Sequence, residues 1–210
     1  MTSASSHETR EHYRSAANAF VATVSSLGQG DWSRPGLGDW TVRDLVGHAS
    51  RALLTVESYL DTAQTTDDPA VQDAAAYFRP TAVSWADPSA VAERGRQAGA
   101  ALGDRPADAV AAIAKRVLAL VDQNQDNALV NTPVGAMTLL GYLPTRTFEL
   151  VVHTLDLTAA VEVPDPAQLT APLSACLQLA VQLAAEQGHG ADVLLALTGR
   201  RALPAEFSIV

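Results

Sequence analysis

RTFELVVHTLDL, residues 146–157, carries four ionisable side chains, Arg146, Glu149, His153 and Asp156, at spacings of three, four and three. On an α-helix those spacings set all four along one stripe. Leu150, Val151, Val152, Leu155 and Leu157 stand around them, so the polar line faces either bulk water or a polar cavity. In the first case it is a solvated ladder of ion pairs, a common surface decoration. In the second it is a set of groups able to do chemistry. Thr138 is a suitable N-cap for this helix, which is expected to run to about residue 161, with Pro164 and Pro166 stopping it.

Outward from this helix, apolar residues recur at helical spacing almost everywhere, and no stretch before the last few residues alternates as a half-buried strand does. The chain therefore reads as all-α. A first helix is expected over residues 8–27, broken by the four glycines and one proline of GQGDWSRPGLGDW, residues 28–40. The second helix has a clear start. Thr41 is the N-cap, Asp44 puts a carboxylate at the amide-rich end, and Trp40 and Leu45 flank the cap as a hydrophobic staple. Its apolar stripe continues through Val42, Val46, Ala49, Leu53, Val56 and Leu60. A long connection is expected over 67–87, helices over 88–102 and 106–126, and a loop over 127–137 (NALVNTPVGAM). Two more helices, 170–187 and 191–197, lead to TGRRALPAEFSIV, whose last residues can add a short extended piece. No internal repeat and no low-complexity tract interrupts the pattern.

A length of 210 residues suits one domain burying roughly 70% of its unfolded surface. With 48% hydrophobic and 18% charged residues, the composition excludes disordered and low-complexity classes. Fourteen basic against 23 acidic residues give a net charge of −9, and no cluster of Lys and Arg offers phosphates a basic face, which argues against nucleic acid as a partner. The one cysteine, Cys176, allows neither an intrachain disulfide nor a Cys-based zinc site, so a reducing cytoplasm is the expected location. Residues 1–10 lack the apolar core of a secretory signal, and no apolar run approaches the roughly 18 residues of a membrane span, so neither export nor a membrane is expected.

His48 follows Leu45 by three and precedes Ala52 by four, so it borders the buried stripe of the second helix. A lone histidine there is either a satisfied core residue or a ligand. If the bundle sets that helix beside the Glu149 and His153 helix, two imidazoles and one carboxylate meet around one point, a standard way for a helical bundle to hold a divalent metal. The remaining candidates carry less. His7, His12 and His189 read as exposed, and Trp32, Trp40 and Trp85 as packing residues. The PGLG glycines follow no strand and match no phosphate-binding loop. Arg200 and Arg201 can offer anion contacts, but nothing in the sequence sets them near the site.

WTVRDLVGHAS (40–50), RTFELVVHTLDL (146–157) and LTGRRALP (197–204) together resemble the mycothiol-dependent maleylpyruvate isomerase family, over nearly the whole chain in order and spacing. The resemblance implies a DinB-like four-helix bundle with additional C-terminal helices: a metal-binding bundle over 1–163 and a helical extension over 164–210 packed on the same domain. It implies zinc held by His48, Glu149 and His153, with mycothiol, or another small thiol, as a further cofactor. The namesake isomerase carries an additional C-terminal domain, and this sequence stops soon after the bundle. What is implied is therefore a cytoplasmic thiol-dependent transferase or isomerase rather than a named reaction.

Three protein ligands leave zinc an open fourth position, and a thiol entering there gives up its proton to become the nucleophilic thiolate. The thiol is expected to be external, because Cys176 sits in the apolar helical run LSACLQLA and reads as buried and inert. The partners expected are thus a small thiol and a small electrophile. One helical turn either side of the ligand pair, Asp156 can accept from the free ring nitrogen of His153, and Arg146 can orient Glu149 or bind an anionic substrate. A solvated ion pair is the equal alternative for both. Two other readings share the ligand set: a metal-dependent hydrolase or non-haem iron enzyme, and a non-catalytic, metal-stabilised pocket for a small molecule.

Overall fold

Thr41 and Thr138 start the two helices that carry the candidate ligands. The Thr41 hydroxyl accepts from the Asp44 amide while the Asp44 carboxylate accepts from the Thr41 amide, a complete capping box. The Thr138 hydroxyl accepts from the Gly141 amide at 3.0 Å. The computed structural model describes residues 3–84 and 88–210. In chain order these form α1 (Ser3–Ser25), α2 (Val42–Tyr59), β1 (Leu60–Thr65), α3 (Ala74–Ser84), α4 (Pro88–Ala101) and α5 (Pro106–Gln123). They continue with β2 (Ala128–Thr132), β3 (Gly135–Thr138), α6 (Leu139–Val161), α7 (Thr170–Glu186) and α8 (Gly190–Leu197). The chain is mostly helical, an all-α DinB-like bundle with only a small sheet.

Four helices close a ring: α1 packs on α6, α6 on α2, α2 on α5 and α5 on α1. Tyr13 and Phe20 of α1, Leu45 and Leu53 of α2, Val110 and Val117 of α5, and Leu143, Leu150 and Leu157 of α6 are fully buried between them. Each such side chain taken from water contributes about 1.5–3 kcal/mol. Arg10 ties α1 to the end of α5 by donating to the carbonyls of Val121 and Asn124 and to the Asp126 carboxylate.

Outside the ring, α4 lies on α2 and α7 lies on α6 and α1. The α2–α4 contact is close because Gly47 faces Gly99. A Cβ on Gly47 would sit 2.1 Å from the Gly99 nitrogen, and one on Gly95 would sit 2.5 Å from the Trp40 ring. Arg43 Nε donates to the Gly99 carbonyl and Trp40 Nε1 to the Ala92 carbonyl, which bolts the seam on both sides.

Three expectations about the chain change. Residues 127–137 are not a loop: β2 and β3 form a hairpin in register Leu129↔Thr138 to Thr132↔Gly135, and β1 adds antiparallel on β2, continuing directly from α2. The β2 burial does alternate, with Ala128, Val130 and Thr132 inside and Asn131 out. Gly135 takes φ +131°, which a side chain resists, so the tight turn depends on it. The 67–87 connection contains α3, and Trp85 lies outside the described residues. Last, the tail after α8 forms no strand among the described residues.

Candidate metal centre

Helix α2 contributes His48 and helix α6 contributes Glu149 and His153, and one ligand atom from each lies within 4.8 Å of the others. The i,i+4 spacing aims both α6 side chains the same way, and the packing of α2 on α6 brings the third. The two imidazole rings meet edge to face with centroids 4.8 Å apart. Trp40 stacks on the other side of His48 at 4.6 Å, so the capping residue's neighbour also walls the site.

The polar stripe of α6 does not form a solvated ladder. His153, only 12% exposed, sits between two carboxylates: its Nε2 lies 3.3 Å from Glu149 Oε2 and its Nδ1 3.1 Å from Asp156 Oδ2. Burial by itself would lower the His153 pKa, but the hydrogen bonds to Asp156 and Glu149 outweigh it and raise it. Burial would raise Glu149, yet the His153 hydrogen bond and the Arg146 charge hold its carboxyl well below the usual range. His48 is pushed down to about 4, first by burial and then by the neighbouring His153 charge. The cluster thus offers an ionised carboxylate and a neutral imidazole beside a second imidazole that two carboxylates keep charged.

A divalent cation fits this set. The His48 Nδ1 is buried without a hydrogen-bond partner, a cost of about 1–3 kcal/mol that a structure retains only for a reason. Two imidazoles and a carboxylate are typical zinc donors, and a carboxylate behind the far nitrogen of one imidazole is the usual support for such a ligand. Asp156 stands in that position behind His153.

The cluster opens on a cavity of about 540 Å³ lined by residues of α2, α3, α4 and α6 and by Val210. Arg146 is on its wall, 7% exposed, its guanidinium 5.3 Å from the centre of the Tyr77 ring and 5.0 Å from that of Tyr142. It donates from Nε to the Thr145 hydroxyl and makes no ion pair with Glu149, which acts on it only through space. The sequence missed Arg51, Arg94, Tyr59 and Tyr77, which line the same cavity. Arg51 was in reach, since it follows His48 by three on α2 and so shares its face. Arg94 and Tyr77 come from α4 and α3, and only the tertiary packing delivers them.

The remaining expectations sort cleanly. Cys176 is buried and its thiol is pushed up to about 12 by burial. It lines a separate small cavity of about 120 Å³ with His12, which is half-buried there rather than exposed. His7 is exposed, while His189 is half-buried against the Phe207 ring. Arg201 pairs with Asp192 at 2.7 Å, and neither Arg200 nor Arg201 lines the 540 Å³ cavity. Among the described residues, no helix is long and apolar enough to cross a membrane.

No curated protein and no solved structure matches the chain. The family model for the mycothiol maleylpyruvate isomerase N-terminal domain matches residues 13–158, a span that holds all of α2 and both α6 candidates, and the chain belongs to that family.

Proposed function

We propose that the protein is a zinc-dependent enzyme that takes a low-molecular-weight thiol, mycothiol, into the His48–Glu149–His153 site for S-transfer to, or isomerisation of, a small electrophile. The observation that carries this reading is the convergence of two imidazoles and one carboxylate at the end of an open cavity, with His48 Nδ1 buried and unpaired. Zinc bound there supplies a Lewis acid that lowers the pKa of a thiol towards neutrality. The protein's own residues do the rest. Asp156 would accept the Nδ1 proton of His153 and so orient Nε2 toward a bound cation. The Trp40 ring packs against His48, with centroids 4.6 Å apart, and helps fix the imidazole's place. The thiol comes from outside, since the Cys176 thiol is held protonated in another cavity.

Elemental analysis and calorimetry test the reading together. The purified protein is expected to hold about one zinc per chain, and the His48, Glu149 and His153 alanine variants none. Mycothiol binding at pH 7 is expected to release protons, measured in buffers of different ionisation enthalpy. Equal metal content in wild type and all three variants overturns the site. Thiol binding of equal strength without proton release in metal-free protein overturns the mechanism. Mass spectrometry of mixtures with a panel of electrophiles then identifies the product.

A further inference from the structure

We infer that the outer face of the α7–α8 hairpin is the interface through which two copies of this chain associate about a two-fold axis. No residue of either helix lines the cavity beside the metal centre, and both helices follow residue 158, where the family match ends.

Helix α7 has two faces, and neither is charged. Pro172, Cys176 and Leu183 are buried on the inner side. The opposite stripe, Ser174, Leu177, Gln178, Val181, Gln182 and Ala185, follows the three-and-four spacing of one helix face and is exposed throughout. On a surface helix that stripe is where charged residues ordinarily stand, and here it holds none. Helix α8 adds to the same surface. It packs on α7, yet none of its residues is buried, and Leu194 and Leu197 are 63% and 72% exposed. A contiguous apolar surface of this kind marks a place where another surface is covered.

Charge selects what covers it. Residues 166–199 contain two charged side chains, Glu186 and Asp192, in a chain that is 18% charged. Both are satisfied within the chain: Glu186 pairs with Arg79 of α3 at 3.0 Å, and Asp192 with Arg201 at 2.7 Å. A strongly acidic or basic partner therefore finds no counter-charge on the face, and anionic lipid finds no Lys or Arg on the α7 stripe. A second copy does match. Each chain carries −9, so two copies repel wherever their charged surfaces meet. An isologous contact sets a patch against itself, which suits a patch whose charges are few and already paired. The Gln178 amide both donates and accepts, so it complements its own copy across such an axis as a charged side chain does not.

Sedimentation velocity and light scattering of the full chain, at loading concentrations up to about 0.1 mM, test the inference. The expected particle has twice the 22.0 kDa mass of the chain. Raising salt from about 0.1 to 1 M is expected to leave it intact, because screening weakens charge pairs and not an apolar contact. Val181→Glu and Leu197→Glu bring like charges to the interface and are each expected to weaken association about thirtyfold or more, with an unchanged circular dichroism spectrum. Val163→Glu, at an exposed apolar position off the hairpin, is the control and is expected to remain dimeric. If one hairpin variant misfolds, the wild-type mass and the other variant decide. A monomer at every concentration overturns the inference, as does a dimer that survives both hairpin variants, that the control also abolishes, or that dissolves in high salt. Binding of a monomer to phosphatidylcholine–phosphatidylserine vesicles, lost in Val181→Glu, overturns it too by giving the face to lipid.

Discussion

Gly47→Ala tests whether the α2–α4 seam is as tight as the structure makes it. The added Cβ would lie 2.1 Å from the Gly99 nitrogen and 2.5 Å from the Ala98 carbonyl carbon, all backbone atoms that no rotamer change can move. Ordinary contact begins at 3.4 Å, so the helices must part by over an ångström. Overpacking of this kind costs roughly 1–3 kcal/mol. Parting also strains the Arg43–Gly99 and Trp40–Ala92 hydrogen bonds, at about 1 kcal/mol each. Alanine's better helix propensity returns up to about 1 kcal/mol. The loss therefore wins, with a net destabilisation of about 2–4 kcal/mol, read as a lower urea midpoint at unchanged slope. Gly30→Ala is the control: its Cβ would meet nothing within 4 Å and its φ is −75°, so it is expected to be neutral. A Gly47→Ala protein as stable as wild type refutes the close-approach reading of α2 and α4.

Three further outcomes are expected. Asp156→Ala removes the carboxylate behind His153 and is expected to weaken zinc affinity 10–100-fold in a chelator competition, with Asp156→Asn nearer the lower figure; unchanged affinity in both means Asp156 supports nothing. Cys176, 6% exposed with its pKa near 12, is expected to resist iodoacetamide at pH 8 in the native protein and to react fully in urea; rapid native labelling contradicts its burial. Burial would raise the Asp126 pKa, but its hydrogen bonds to Ser6 and Arg10 lower it overall in the folded state. Its contribution is then full above the unfolded carboxyl pKa near 3.9 and fades as pH falls through the folded value. At 44% exposure that contribution is about 1 kcal/mol or less, so Asp126→Asn is expected to lower stability slightly at pH 7 and to converge with wild type in acid.

Helices were legible because their signals are local. The capping box at Thr41 and Asp44 and the cap at Thr138 are read directly from neighbours in sequence, and both stand. The hairpin was not, because β2 is five residues long and its alternation, with Ala128, Val130 and Thr132 inward, is too short to rise above the surrounding helical period. Pro133 and Val134 form the tight turn that joins β2 to β3, inside the stretch 127–137 that the sequence suggests as a loop. β1 was hidden for a different reason: Leu60 continues the apolar stripe of α2, and only its pairing with Val130 ends the helix at Tyr59.

The candidate site divides along the same line. Glu149, His153 and Asp156 share one helix face, so their spacing alone predicted that they would meet, and the structure sets both carboxylates against one imidazole. Whether that face looked at water or at a cavity was undecidable from α6, since the answer depends on what α2, α3 and α4 lay across it. The seam of Gly47 against Gly99 is what answers it. By letting α4 approach α2 at backbone distance, it carries Val91 and Arg94 to the rim of the cavity. Glycine has no side chain to show a periodicity, so the residue that shapes the pocket leaves the weakest trace in the sequence. The consequence is that changes to the α2–α4 seam are expected to alter ligand selection while leaving the three candidate metal ligands in place, because those ride on the separate packing of α2 against α6.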